Sequence, residues 1–223
     1  MVDHASNHVP MDIDLHIDDS LLHNHIAVDI GVKKTAERIV ERFDMAAIMA
    51  KQSRLVIDLH RAEDDMAGIP LVSDGHDIAG NRISESQKQE RIARFHKPYH
   101  DKIEEILEEY RPSLIMTLHS FTPSLMSAPN ERRPWEVGVL YGEHETTSKR
   151  AIELLKEEGL KVGDQLPYSG KILNYTMDRH AEPRKIPYFC VEMRQDLVGH
   201  DEGCDRFAQI LGNICEKITK SLA

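Results

Sequence analysis

A chain of 223 residues, 40% hydrophobic and 30% charged, is long enough for one substantial core and has the composition of a globular protein. Its 28 basic residues against 38 acidic ones leave a formal net charge of −10 and no basic run, which argues against a nucleic-acid surface but leaves room for a pocket where a few arginines meet a small anion. With no apolar stretch near the roughly 20 residues that cross a bilayer, and first residues unlike a signal peptide, the expectation is a cytoplasmic protein without a membrane partner, as a monomer or small homo-oligomer.

The chain opens with Val2-Asp3-His4-Ala5-Ser6-Asn7-His8, rich in potential ligands. A histidine at a strand exit needs a strand before it, so His4 this near the start implies either a leading strand outside the sequence or a frayed terminus. Val28, Val32, Ala36, Ile39, Val40 and Phe43 recur at helical spacing. His25 and Asp29 share one face at the start of that helix, either as a local contact or as part of a site. Leu55, Val56, Ile57 and Leu59 read as a buried parallel strand broken by Asp58, a carboxylate that must be paired, metal-bound or at the strand's end, a structural ion pair with an arginine being the preferred reading. Arg61 follows as a candidate clamp for a substrate carboxylate.

Residues 63 to 82 are irregular and long enough to cover a site. From Glu85 an apolar stripe from Ile92 to Leu107 predicts a helix divided or kinked at Pro98. Leu114 to Leu118 reads as a buried strand ending at His119, placed where open α/β sheets meet their ligands. A loop with Arg132 and Arg133 leads to a strand over 137–141, then to a helix over 146–157 that Gly159 ends. Residues 161 to 186 read as a second lid, carrying His180. A strand over 187–194 ends in Glu192 and Arg194, and a helix over 205–220 closes the chain. Cys190, Cys204 and Cys215 lack Cys-x-x-Cys spacing and read as reduced core residues.

Strands alternating with helices predict a single α/β domain over 1–223 with a mixed, mainly parallel sheet between helices. Polar chemistry gathers at the strand exits, at His4, Arg61, His119 and Glu192. Two histidines and a carboxylate are a sufficient ligand set for catalytic zinc, which keeps a position open for water. A glutamate beside them would carry the proton, and arginines would hold an acidic substrate. For Glu192 the bland alternative is a salt bridge with Arg194 or Arg61.

An ordered series of blocks resembles the N-formylglutamate amidohydrolase family over almost the whole chain: DHASNHVP (3–10), HIAVDIG (25–31), SRLVIDLHR (53–61), PYH (98–100), LHSFTP (118–123), RPWEVGVLY (133–141), NYTMDRHAE (174–182) and VEMRQDL (191–197). The resemblance implies a fold like that of zinc carboxypeptidases and aspartoacylase, with one zinc per chain. It implies His4 and His119 as the imidazole ligands, Glu192 as the general acid/base and Arg61 as the arginine that polarises the carbonyl or holds a carboxylate. Asn7 stands where that broader group has a carboxylate, and an amide is a poor zinc ligand, so Asp29 is assigned as the third ligand. Arg133, Arg194 and His180 are candidates for substrate binding. Family members often read Asn-Arg where this chain has His60-Arg61, a change that alters the pocket without removing the guanidinium.

The expected reaction is metal-assisted hydrolysis of the amide of a small anionic N-acyl amino acid such as N-formylglutamate. Rival readings are a carboxypeptidase-like hydrolase of a peptide or cell-wall fragment, which would need an open groove, and a degenerate small-molecule-binding protein without catalysis. A serine or cysteine hydrolase finds no Gly-x-Ser-x-Gly elbow here.

Overall fold

The computed structural model describes residues 1–222. In chain order it has α1 (Val32–Arg42), a small hairpin of β1 (Val72–Ser73) and β2 (His76–Asp77), α2 (Glu85–Arg91), α3 (Lys97–Tyr110), β3 (Ile115–Phe121), β4 (Val137–Leu140), α4 (Thr146–Glu157), β5 (Val162–Asp164), α5 (Tyr175–His180), β6 (Tyr188–Arg194), α6 (Gln195–Val198) and α7 (Asp201–Leu222). The main sheet runs β3-β6-β4-β5; β3 and β6 are parallel, as are β4 and β5, and the β6–β4 pair between them is antiparallel.

Residues 1 and 2 extend this sheet beyond β3. The Met1 ammonium donates to the Met116 carbonyl at 2.7 Å, the Leu118 N–H donates to the Met1 carbonyl at 3.0 Å, and Val2 bridges Met49 on its other side. His4 thus follows a segment held on both edges, and the described terminus is not frayed.

Alternation along the strands sends their side chains into two layers. Leu118, Val137, Val139, Phe189, Val191 and Met193 join α1, α4 and α7 in one core, where Val32, Ile39, Leu155, Phe207, Leu211 and Ile214 are buried. Ile115 and Tyr188 face the other way, onto Ile103 and Leu107 of α3, Met177 of α5 and the buried segment Ala50 to Leu59. The sheet therefore lies between helices, and the second face is shared with irregular chain. That face carries the chemistry.

Three expectations need correction. Residues 55–59 are buried but form turns and irregular chain rather than a strand. Side chains take the place of a neighbouring strand: Asn81 donates to the Leu55 carbonyl, Arg91 to Val56, His100 to Leu59 and His96 to Arg61. Pro98 does not break the helical stretch. A π-helical turn, Ile92–His96, joins α2 to α3, and Pro98 sits in the first turn of α3 directly after it. Residues 161 to 186 are only partly a loop, because β5 is an edge strand and α5 buries Thr176, Met177 and His180. Among the described residues no helix is long and apolar enough to cross a membrane.

Candidate metal centre and active site

Register places the first two groups. His119 on β3 pairs with Glu192 on β6 in parallel register, so both side chains leave the same face of the sheet, side by side. His119 is the fifth of the seven residues of β3, and the strand runs on to Phe121, past the exit expected at Leu118. Asp29 lies in the turn before α1, with its N–H donating to the His4 carbonyl at 3.1 Å. That turn depends on Gly31, whose φ is +81° and whose missing Cβ would stand 2.1 Å from the Val198 carbonyl oxygen.

His4, Asp29 and His119 converge on one point. Their Nδ1, Oδ2 and Nδ1 atoms lie 3.2 Å (His4–Asp29), 3.0 Å (His119–Asp29) and 3.2 Å (His4–His119) apart. Ligand bonds of about 2.0–2.1 Å in a tetrahedral zinc site put ligand atoms about 3.3–3.4 Å from one another. The trio is thus within a few tenths of an ångström of such a set. All three are buried.

Each ligand is backed by an oriented partner. His4 Nε2 meets Asp58 Oδ1 at 2.7 Å, and His119 Nε2 faces Asp3 Oδ2 at 3.4 Å. Arg54 donates from Nη1 to Asp29 Oδ1 at 3.2 Å and from Nη2 to Asp58 Oδ2 at 2.7 Å. Asp3 in turn accepts from the Tyr99 hydroxyl at 2.7 Å and the Thr176 hydroxyl at 3.1 Å, and faces His60 Nδ1 at 3.1 Å. A carboxylate behind a ligating imidazole fixes its tautomer and raises its basicity, leaving Nδ1 bare toward the ion. Asp3, His60 and His119 also form a donor group compact enough for an ion, sharing His119 with the first trio.

The charge balance points the same way. Asp3, Asp29 and Asp58 are buried carboxylates, and Arg54 is the guanidinium among them, which leaves two negative charges to be met. Without an ion, the histidines meet them. Burial opposes charging His119, but its contacts with Asp29 and Asp3 hold its pKa well above the ordinary histidine value. Burial and Arg54 oppose charging His4, and Asp58 and Asp29 outweigh them. A divalent cation supplies the same two charges without protons, so the donor set fits one.

Glu192 completes the centre. Burial pushes its carboxyl up to about 7, against the opposing field of His119. Its Oε2 has no hydrogen-bond partner among the described residues, which leaves it open to a proton. A carboxyl that titrates near neutrality is suited to take a proton and return it. Gly138 on β4 lies opposite Glu192, and a Cβ there would stand 2.2 Å from the Leu166 carbonyl oxygen. Its bare backbone lets the 165–168 loop close in over the strand.

Other expected residues are distributed differently. Arg133 is buried, donates to the Tyr168 hydroxyl at 2.8 Å, and keeps an Nε without a partner among the described residues. Burial raises the Tyr168 pKa, with the charge of Glu192 adding to it and Arg133 and Arg54 opposing, so this phenol lies in the field of the centre. Arg61 is not brought to the cluster; its guanidinium pairs with Asp65 at 3.2 Å, and the guanidinium among the ligands is that of Arg54. Arg194 turns to Asp196 and the Trp135 carbonyl. His180 belongs to a second histidine cluster, 2.8 Å from His100. His25 pairs with Asp74 at 3.1 Å rather than with Asp29, and Asn7 is near the surface beside His23. Sequence reasoning passed over Arg54 and Asp3. The i, i+4 spacing of Arg54 and Asp58 was the available signal for the first, and the place of Asp3 next to His4 for the second.

Fold and site together are those of a metal-dependent amidohydrolase. Residues 1–198 match the family model described as N-formylglutamate amidohydrolase, and the chain belongs to that family. The structure superposes on the crystal structure of a gene product from Agrobacterium tumefaciens with a TM-score of 0.92 and 26% sequence identity, over 99% of this chain and 89% of that one. An N-formylglutamate amidohydrolase from Ralstonia eutropha shares the fold, with a TM-score of 0.77 and 18% identity over 99% of this chain and 93% of that one. A comparison with curated proteins gives no match.

Proposed function

We propose that the protein is a zinc amidohydrolase that removes a formyl or similarly small acyl group from an N-acylated acidic amino acid, N-formylglutamate being the first candidate. The observation that carries this is the convergence of His4 Nδ1, Asp29 Oδ2 and His119 Nδ1 beside Glu192, with carboxylates behind both imidazoles. These three residues would hold one zinc ion per chain. When bound, the ion supplies Lewis acidity, acidifying water and polarising the amide carbonyl. Glu192 takes the proton of the attacking water and delivers it to the departing amine, for which a pKa of about 7 is well placed. Arg133, buried and with an Nε unpartnered among the described residues, offers the positive charge that a substrate carboxylate needs, and Tyr168 orients it. Arg54 fixes Asp29 and Asp58. Arg61 could reach a substrate only by leaving Asp65, and Arg194 only by leaving Asp196. The mixed sheet with ligands near its strand ends supports a likeness to zinc carboxypeptidases and aspartoacylase, with 1–223 as one unit.

The test is elemental analysis of chelator-free protein together with an assay on N-formylglutamate, for wild type and His119→Ala. About one zinc per chain and formate release are expected from the wild type, with both lost in the variant. Wild-type protein that stays metal-free after reloading, or that carries zinc and hydrolyses no N-formyl or N-acetyl acidic amino acid, would overturn the proposal.

A further inference from the structure

A second group of buried histidines lies outside the site: His96 from the π-helical turn, His100 from α3 and His180 from α5. Their hydrogen bonds have only one consistent direction. His100 Nε2 lies 3.0 Å from the Leu59 carbonyl, so it carries the proton and donates. In the neutral ring Nδ1 is then bare, and it accepts from His180 Nε2 at 2.8 Å. His96 Nε2 donates to the Arg61 carbonyl at 2.9 Å. Burial first, and for His100 the neighbouring His96, hold His100 near 3, while burial and Arg179 hold His180 near 4, so both rings stay neutral at pH 7.

The carbonyls they hold are those of Leu59 and Arg61, on either side of His60 and directly after Asp58. Residues 59–61 form a turn and a bend, with the Arg61 N–H donating back to the Asp58 carbonyl at 3.3 Å. The two imidazoles take up the Leu59 and Arg61 carbonyls of that turn and so fix it against the helix. α5 grips the same segment from another side, through the Thr176 hydroxyl 2.9 Å from His60 Nδ1.

We propose that His100 and His96, with His180 behind His100, are positioning residues for the metal centre: by holding the Leu59 and Arg61 carbonyls they set the place of Asp58, which orients His4, and of His60, which meets Asp3 behind His119. This rests on the reading of His4, Asp29 and His119 as the metal ligands. Neither histidine touches the ion or the substrate, and each acts through the backbone it holds.

The test measures metal binding rather than turnover. Zinc affinity is determined by competition with a chromophoric chelator, and the visible spectrum of the cobalt(II)-substituted protein reports ligand geometry, for wild type, His100→Gln, His100→Leu and His96→Leu. Glutamine can donate to Leu59 and accept from His180; leucine fills the space and does neither. His100→Gln should bind zinc within about threefold of wild type and keep its cobalt spectrum. His100→Leu should bind about 10- to 100-fold more weakly, in the range of lost outer-shell partners, with an altered spectrum. His96→Leu, at the edge of the cluster, should show a smaller loss in the same direction and serves if His100→Leu does not fold. Tight wild-type binding left unchanged by both leucine variants would overturn this inference alone, as would a His100→Gln protein as impaired as His100→Leu. Wild-type protein that takes up neither zinc nor cobalt would overturn the metal reading and this inference with it.

Discussion

The molecule contains two buried groups of histidines on one side of one sheet, and they behave oppositely. His4 and His119 face carboxylates, and their pKa values are raised in spite of burial. His100 and His180 face a backbone carbonyl and each other, and burial drives them down to about 3 and 4. Burial is common to both groups. For these four rings the surrounding charges decide the sign, because carboxylates stabilise the imidazolium of His4 and His119 where a carbonyl dipole does not overcome desolvation. His60, which faces Asp3 but is desolvated by burial and lies beside His119 and His4, stays lowered. One group is thus charged without metal and ready to exchange protons for a cation. The other is neutral and serves as a set of N–H donors.

The largest expected effect is at the charged group. Glu192→Gln keeps the shape of the side chain and removes its ability to take a proton, so kcat should fall by about 10²- to 10⁴-fold with zinc content unchanged. A comparable loss of zinc in this variant would mean that Glu192 helps to hold the ion, and the division of labour drawn here would fail.

Next comes the pH dependence of stability, in which the two groups should pull apart. The folded-state pKa values of His100 and His180 lie below the ordinary histidine value of 6.5, so the unfolded chain binds more protons in between. Their contribution is complete above about pH 6.5 and is lost as pH falls toward 4 and 3. His4 and His119 have raised values, so in metal-free protein their contribution is complete below about pH 6.5 and is lost as pH rises through their folded values. Thermal melts of chelated protein should therefore weaken on both sides of pH 6.5, and zinc should restore the alkaline side only. His180→Phe should flatten the acid side. An acid limb identical in wild type and His180→Phe would remove the neutral pair from the account.

The smallest effect is expected at Arg61, whose carbonyl belongs to the neutral group and whose guanidinium belongs to neither. Arg61→Ala should change stability by less than about 1 kcal/mol, as for a solvent-accessible ion pair with Asp65. It should leave the KM for an anionic substrate near wild type, whereas Arg133→Ala should raise it. The reverse pattern in KM would return Arg61 to the pocket.

How much of this was legible in the sequence varied with the kind of signal. β3, β6, α4 and α7 are long and regularly patterned, and their positions could be read within a few residues. β5 has three residues, one of them glycine, and carries no period to detect. The apolar run at 55–59 looked like a strand because burial and strand formation usually coincide; here Asn81, Arg91, His96 and His100 supply the donors, and side chains from 20 or more residues away leave no local trace. In the site, His119 and Glu192 stood out as polar residues in apolar strands, and Asp29 through its family block. Arg54 was overlooked for Arg61 because the pattern gives no direction to a side chain once the backbone around it is irregular.

The ligand atoms also have a bearing on how the protein reaches its active form. His4 and Asp29 are 25 residues apart, Asp29 and His119 are 90 apart, and His4 and His119 are 115 apart. The first of these residues is presented by a segment lodged between β3 and the chain at 48–50. No early fragment of the chain can assemble the trio, since the loops that bring it together close only when distant parts of the sequence have met. A fragment that ends before His119 therefore lacks the full ligand set, and an ion held by all three ligands marks a chain in which these distant segments have met.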